Sequence, residues 1–236
     1  MRKPPAVRMS ASFFSGSGPG ERTSDGCSVA LYARMPYLGE LDSVRALLVR
    51  GTSVLELGAG AGRLTRKLLE WGLNITAVDN SADMLAHVPE DARHVVSDIE
   101  NLRLGETFDT VLLASCVVNH PSASTRASLA ATARYHVARG GQLLAQRHDP
   151  DRLRNAQVGA ASCVNGLGCS IEAVRRCEDD VDMTVRYDMD GQTWRQSFRT
   201  SLLSEVEIEA LLADVGFHSF EWFGEKRIWV RAAAGL

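Results

Sequence analysis

"VLELGAGAGRLTRKLLEWGLNITAVD", residues 54–79, sets Gly58, Gly60 and Gly62 in five positions between an apolar run and an amphipathic stretch. Short apolar runs at either end, 53–57 and 74–79, read as strands, and the segment 62–71 between them as a helix. A strand–helix–strand unit of this length implies parallel strands joined by a crossover. Glycine at the end of the first strand permits positive φ and lets a ligand lie against bare backbone. Asp79 closes the second strand about 20 residues on, the distance at which a carboxylate can accept hydrogen bonds from ribose hydroxyls. The stretch therefore predicts a nucleoside-containing ligand at the edge of an open sheet.

The same alternation continues outward. Ser81 is placed to N-cap a helix running to His87. "RHVVSD" (93–98) is short and β-like, and "FDTVLLAS" (108–115) is apolar almost throughout, as a strand buried on both faces should be. A helix is expected over 122–138, stopping before Gly140-Gly141, and then a strand over "GQLLAQR" (141–147). Upstream, 28–50 reads as helical with Pro36 interrupting. After Arg147 the period changes to two, with breaks at 178–180 and at Asp190-Gly191. That pattern is an antiparallel meander, about 171–200. A helix over 204–215 and a hairpin of "FHSFEWF" and "RIWVRA" close the chain.

The expected class is α/β: a Rossmann-like, seven-stranded, mostly parallel sheet with helices on both faces, plus a small antiparallel β insertion over the active site. The expected organisation is a flexible leader (1–27), an N-terminal helical lid (28–50), a ligand-binding core (51–147), an antiparallel lid (148–203), and a helix and hairpin completing the sheet (204–236).

With 26 basic and 29 acidic residues in 236, the net charge of −3 gives no footprint for nucleic acid or an anionic membrane. No apolar run approaches the ~20 residues needed to span a bilayer, and the leader lacks a signal-length apolar core. Five cysteines, without the C-x-x-C spacing of zinc sites at Cys163, Cys169 and Cys177, are expected as reduced thiols in a cytoplasmic protein with no bound metal.

Two nucleoside cofactors compete for the glycines. The dinucleotide fingerprint G-x-G-x-x-G docks a pyrophosphate on the helix N-terminus. Here the spacing is G-x-G-x-G, position 63 is Arg, and Glu56 would repel a dianion. A carboxylate at 56 suits an ammonium group instead. A ligand with a ribose, a cation near the glycines and no phosphate is S-adenosylmethionine.

On these residues the chain resembles the class I methyltransferase family. "VLELGAGAG" is similar to its first motif and "AVDNSADML" to its second-strand acidic motif. "SDIENL", "FDTVLLASCVVNH" and "ARGGQLLAQR" resemble the adenine segment, the fourth strand with its active-site edge, and the turn into the fifth strand. The resemblance implies that Gly58, Ala59, Gly60 and Gly62 approach the methionine portion of the cofactor and Asp79 the ribose; Glu56 and Asn80 belong to the same cofactor-binding set. It implies that Met84, Asp98 and Ile99 lie at the adenine, with Met84 equally readable as core and Asp98 readable as a cap of the turn that follows. Ser115 and Tyr32 join the cofactor set, Tyr32 from a closing lid.

Methyl transfer from a sulfonium needs an in-line, unprotonated nucleophile. Asn119 and His120, after the apolar strand, are expected to project toward the methyl. His120 is the candidate general base; the rival reading makes it a helix-start residue bonded to the backbone, ahead of Pro121. His148 follows the next strand on the same rim, as a substrate-orienting catalytic group. A metal site of His120, His148 and Asp149 is the weaker reading. Tyr187, Trp194 and Phe198, on the meander, are expected to line a substrate pocket or to pack the meander onto the sheet. The chain reads "NHPS" where nucleic-acid amino-methyltransferases carry "NPPY" or "DPPY". The expected acceptor is thus an oxygen, nitrogen or carbon of a small metabolite, bound by a monomer or homodimer. The alternatives are a non-catalytic S-adenosylmethionine-binding partner and a nucleotide-dependent oxidoreductase.

Overall fold

In a computed structural model, which describes residues 13–235, the apolar runs become the centre of a seven-stranded sheet. In chain order the elements are β1 (Phe14–Ser17), α1 (Val29–Tyr32), a 3-10 turn (Asp42–Leu47), β2 (Ser53–Leu57), α2 (Arg63–Glu70), β3 (Asn74–Asp79), α3 (Ala82–Leu85) and β4 (Arg93–Val96). There follow β5 (Phe108–Leu113), a 3-10 turn (Val117–Asn119), α4 (Ala123–His136), β6 (Val137–Gln146) and α5 (Pro150–Arg154). The chain ends with β7 (Ala161–Val164), β8 (Leu167–Cys177), β9 (Asp180–Met189), β10 (Gln192–Ser201), α6 (Glu205–Ala213), β11 (Phe217–Phe223) and β12 (Trp229–Ala234).

The large sheet has the order β11-β12-β6-β5-β2-β3-β4. β6, β5, β2, β3 and β4 run parallel; β12 and β11 are antiparallel additions at one edge. From β2 the chain builds outward through β3 and β4, then returns to place β5 on the other side. That reversal opens a crevice at the carboxyl ends of β2 and β5, where open α/β sheets bind ligands. Leu55, Val111 and Leu143, side by side in the centre of the sheet, are fully buried. The helix caps follow the sequence signals: Ser81 and Ser122 accept the N–H of Met84 and Thr125, and Ser204 forms a capping box with Glu207.

A second, five-stranded antiparallel sheet of order β1-β10-β9-β8-β7 lies over the crevice. It is larger than the expected meander, because β7 and β1 add its two edges. The glycine conformations at its hairpin ends agree with the sequence: Asp190 (φ 50°) and Gly191 (φ 73°) take the left-handed pair of a tight turn.

Three expectations change here. Of the expected leader 1–27, residues 1–12 lie outside the described residues, while Phe14–Ser17 pairs along β10 and is therefore structured. The close approach of Gly16 to Gly26 explains how: a Cβ at either would run into the other's backbone, so this tight crossing needs glycine. The expected helical lid 28–50 is one helical turn and a six-residue 3-10 segment, with Pro36 and Gly39 between them. The helix expected to reach 138 ends at His136, and β6 begins at once, its start paired with Phe108.

Candidate functional site

A cavity of about 580 Å³ fills the space between the two sheets, within the ~300–1,000 Å³ usual for small-molecule sites. One wall is the β2–α2 loop and the end of β3. Another is the segment after β5 with the end of β6. The roof is β9, β10 and the N-terminal strap 14–32. Of the residues singled out from sequence, Glu56, Gly58, Ala59, Gly60, Asp79, Asn80, Met84, Ile99, Ser115, Tyr32, Asn119, His120, His148, Tyr187 and Phe198 line it; Gly62, Asp98 and Trp194 do not.

Two of the three glycines, Gly60 and Gly62, have different reasons to be glycine. A Cβ at Gly60 would meet nothing within 4 Å, so its open face belongs to the cavity. One at Gly62 would sit 3.0 Å from the Val88 backbone, so this glycine packs α2 closely. Glu56 is 2 % exposed and accepts from Thr65 Oγ1 at 2.6 Å. Burial, and secondarily the nearby Asp79, push its carboxyl up to about 7, with the Thr65 bond acting the other way. An unpaired buried carboxylate is costly, so this group is complementary to a cation. Asp79 accepts from Gly60 N–H (2.8 Å) and Ser81 N–H (3.0 Å), which fixes its carboxylate at the loop. Burial raises it too. Asp98 is exposed at the rim and accepts from Asn80 Nδ2 at 3.2 Å, orienting Asn80 rather than facing the cavity itself. Met84 is both core, packed with Val29 and Ala61, and cavity wall.

Sequence reasoning missed Arg63. At the first turn of α2, its guanidinium lines the cavity and pairs with Glu40. Burial lowers it, and Tyr32, Tyr37 and Tyr187 act on it. A glycine loop with Glu56 on one side and Arg63 on the other matches a zwitterion, such as an amino acid moiety. The signal was present as "GAGAGR", but read only as a departure from the dinucleotide pattern.

After β5 the backbone carries two consecutive non-glycine residues in the left-handed region, Ser115 (φ 55°) and Cys116 (φ 60°). Such conformations cost on the order of 1–3 kcal/mol each and collect at functional sites. They turn the chain into the cavity, and Ser115 N–H donates to Gln146 Oε1 at 2.9 Å. Asn119 lines the cavity, but its side-chain amide is engaged within the protein. It is 2 % exposed, its Nδ2 donates to the Ser201 carbonyl (2.8 Å), and its Oδ1 accepts His148 N–H (2.9 Å). It ties the two loops and β10 together.

His120 Nδ1 accepts Ser122 N–H at 3.1 Å. The neutral ring then carries its proton on Nε2, so no lone pair remains free to take another. Its rival role as a helix-start residue is the one the geometry displays. Burial lowers its pKa. His148 is the opposite case. Its ring lies parallel to Phe198 (7°, centroids 6.3 Å apart), and burial drives its pKa down to about 4. It faces the cavity as a neutral imidazole with a free acceptor nitrogen. Among the described residues no cluster of three His, Cys, Asp or Glu is placed to hold a metal ion.

On the roof, inward residues of β10 alternate. Thr200 donates to Asn119 O, Phe198 stacks on His148, and Gln196 joins two parts of the strap: its Oε1 accepts from Tyr32 OH (2.9 Å) and its Nε2 donates to Cys27 Sγ (2.9 Å). Trp194 shares that face but lies beyond the cavity. It is 1 % exposed, packs with Leu31 and Met189, and donates to Pro19 O at 2.9 Å, so it anchors the strap instead of lining a pocket.

Residues 54–141 match the family model described as a methyltransferase domain. A malonyl-[acyl-carrier protein] O-methyltransferase of Pectobacterium atrosepticum is 32 % identical over 100 residues, 39 % of this chain and 40 % of that protein. The match thus spans less than half the length of that curated relative. Among solved structures, the sugar N-methyltransferase KedS8 from Streptoalloteichus sp. superposes with a TM-score of 0.72 at 18 % identity, over 93 % of this chain and 98 % of that one. An S-adenosylmethionine-dependent methyltransferase from Clostridium acetobutylicum gives 0.67 at 17 %, over 87 % and 95 %. The glycopeptide N-methyltransferase MtfA, complexed with sinefungin, gives 0.58 at 22 %, over 92 % and 100 %. At these identities the likeness is one of fold. It extends to the seven-stranded sheet and, by coverage, across the lid.

Proposed function

We propose that this chain, a class I S-adenosylmethionine-dependent methyltransferase by the family of residues 54–141 and by fold, methylates an O–H or N–H group of a small organic metabolite in the cytoplasm, in specialised metabolism. The observation that carries the reading is the polarity of one cavity. Glu56, Arg63, the open Gly60 face and Asp79 stand at one end; His148 and Phe198 stand at the other.

The donor set fits the cofactor. Glu56 is suited to its ammonium group, Arg63 to its carboxylate, and Asp79 to its ribose hydroxyls through the lone pairs that Gly60 and Ser81 leave free. Asn80, Met84 and Ile99 bound the adenine end. Bound there, S-adenosylmethionine supplies an electrophilic methyl on a sulfonium sulfur. The protein's part is to align the acceptor and to exclude water. His148, kept neutral by burial, accepts the acceptor's proton, a contribution of about 10²–10⁴-fold where a proton must leave. Tyr32, Cys27 and Gln196 close the strap over the same space. The small-molecule reading draws support from the names of the structural neighbours, a sugar and a glycopeptide N-methyltransferase.

The test is to incubate the pure protein with deuterated-methyl S-adenosylmethionine and a metabolite extract of its source cells, and to search for labelled products by mass spectrometry. A labelled small molecule supports the reading and identifies the accepting atom. Binding of S-adenosylhomocysteine with label in no small molecule, or label only in protein or nucleic acid, refutes it.

A further inference from the structure

The two sheets end in four edge strands, β11, β4, β1 and β7, and three of these are guarded. β4 opens on Arg93, which pairs with Glu106. β11 is broken by a bulge at Ser219 and carries Glu221, bonded to Arg231. β1 is crossed by the strap, whose Gly26 packs on Gly16. Charge, bulges and overlying chain are the usual defences of an edge against pairing with a further strand. β7 has none of them. It keeps unbroken register with β8 over Ala161–Val164, and Ala160 continues the pairing by accepting Ile171 N–H at 2.9 Å. Residues 155–171 include no Asp, Glu, Lys, Arg, His or Pro, in a chain that is 23 % charged, so the gap in charge singles out this edge. Residues 157–166 are all exposed, among them the apolar side chains of Val158 and Val164.

The register with β8 decides which backbone groups are left over. Asn165 (φ 50°) and Gly166 (φ 81°) form the two-residue turn between the strands. Such a turn closes on a hydrogen-bonded pair, here Val164 with Leu167, and bonded and non-bonded pairs alternate from there. Val164 and Ser162 therefore spend their N–H and C=O on β8. Ala161 and Cys163 turn theirs outward, away from the sheet.

From this edge we infer that the protein is a homodimer in which two copies pair β7 antiparallel, about a two-fold axis at Ser162, joining their five-stranded sheets into one. The missing charge selects the occupant. Across a two-fold axis a strand meets its own sequence reversed, so a charge near the axis would face its own copy. A strand that recognises a different chain is under no such constraint. The free backbone groups select the register. With the axis at Ser162, Ala161 lies opposite Cys163 of the second copy, and every outward N–H and C=O of the two residues finds a partner. An axis at Ala161 or Cys163 would instead need Gly159 or Asn165, which lie outside the strand. Ser162 then opposes its own copy as a non-hydrogen-bonded pair, and Val164 packs beside the second copy's Ala160.

The test uses the full chain. Sedimentation equilibrium at about 100 µM protein is expected to show a species of twice the 25.7 kDa chain mass. Ser162→Lys and Ser162→Glu, at an exposed position, should each weaken association about 30-fold or more with an unchanged circular dichroism spectrum. Mixed in equal amounts, the two variants should pair again, which a folding defect would not allow. Directly opposed Cα atoms about 4.5 Å apart lie within disulfide reach. Ser162→Cys, made with Cys163→Ser and Cys177→Ser, should therefore cross-link two chains on mild oxidation, whereas the Cys163→Ser, Cys177→Ser protein should not. A wild-type chain that stays monomeric at that concentration overturns the inference. So does a dimer that Ser162→Lys leaves intact, failure of the Lys and Glu variants to pair when mixed, or absence of the cross-link at position 162.

Discussion

Asn119 Oδ1 accepts the backbone N–H of His148 at 2.9 Å while its Nδ2 holds the Ser201 carbonyl at 2.8 Å. One buried amide thus fixes the position of the cavity-facing imidazole relative to the roof. Asn119→Ala leaves both partners unsatisfied and should cost about 1–3 kcal/mol of stability. Because the tie lies at the acceptor end, kcat should fall at least tenfold while S-adenosylhomocysteine affinity changes less than threefold. Chemical denaturation and calorimetry on the same preparation check both figures. Equal loss of cofactor affinity would remove the positioning role.

Gln196 joins Tyr32 and Cys27, so it latches the strap over the cavity. Gln196→Ala removes two hydrogen bonds, each worth about 1 kcal/mol. Cofactor dissociation should quicken about tenfold, and amide exchange should rise across 14–32 but not in β2 or β3. Stopped-flow displacement and hydrogen exchange report the two. Unchanged exchange in the strap would show that Trp194 and the Gly16–Gly26 crossing hold it alone.

Glu56 makes the cofactor end pH-sensitive in a defined direction. Its folded pKa, raised to about 7, lies above the unfolded value of 4.5. Between these values the native state binds the extra proton. The stabilisation is therefore complete below 4.5 and lost as pH rises through 7, by roughly 3 kcal/mol in all. A cation bound beside the carboxylate reverses the loss. S-adenosylhomocysteine, which keeps the ammonium, should bind more tightly as pH rises from 6 to 8. Glu56→Gln should raise the melting temperature of the free protein at pH 8, flatten that pH dependence and weaken binding about 10–100-fold. A mutant that is less stable without ligand at pH 8 would contradict the account.

The parts of the fold that sequence exposes are those set by local spacing. Val54–Asp79 declares its strand, loop and strand because apolar period, glycines and a terminal carboxylate lie within 26 residues. The run Phe108–Leu113 announces a central strand because both of its faces are apolar. Trp194 shows the limit: whether it lines the cavity or packs in the core, the two readings left open by sequence, depends on Leu31 and Pro19, more than 160 residues away. β1, "FSGS", is too short and polar to carry a strand signal; it exists because β10 offers an unpaired edge. The Asn119–His148 tie joins two loops that sequence could place on one rim without showing which atom meets which.

The division of labour between the two histidines gives the remaining prediction. His120 Nδ1 is occupied by Ser122 N–H, a contact two residues along the chain that an asparagine side chain can imitate. His120→Asn should therefore keep that bond, fold normally and retain activity within about tenfold. His148 has no such substitute. Its pKa, held near 4 by burial, keeps it neutral and ready to accept a proton throughout the physiological range. Below the unfolded value of 6.5 the same burial costs stability, because the unfolded chain binds a proton that the native state refuses until pH falls through 4. His148→Gln should lower kcat about 10²-fold or more with little change in cofactor affinity. It should also flatten the loss of stability between pH 6.5 and 4, where the wild-type imidazole resists protonation. Steady-state kinetics at saturating cofactor and denaturation across pH measure the two effects. If His120→Asn is the more damaging variant, proton acceptance belongs to His120, and its bond to Ser122 must break when substrate binds.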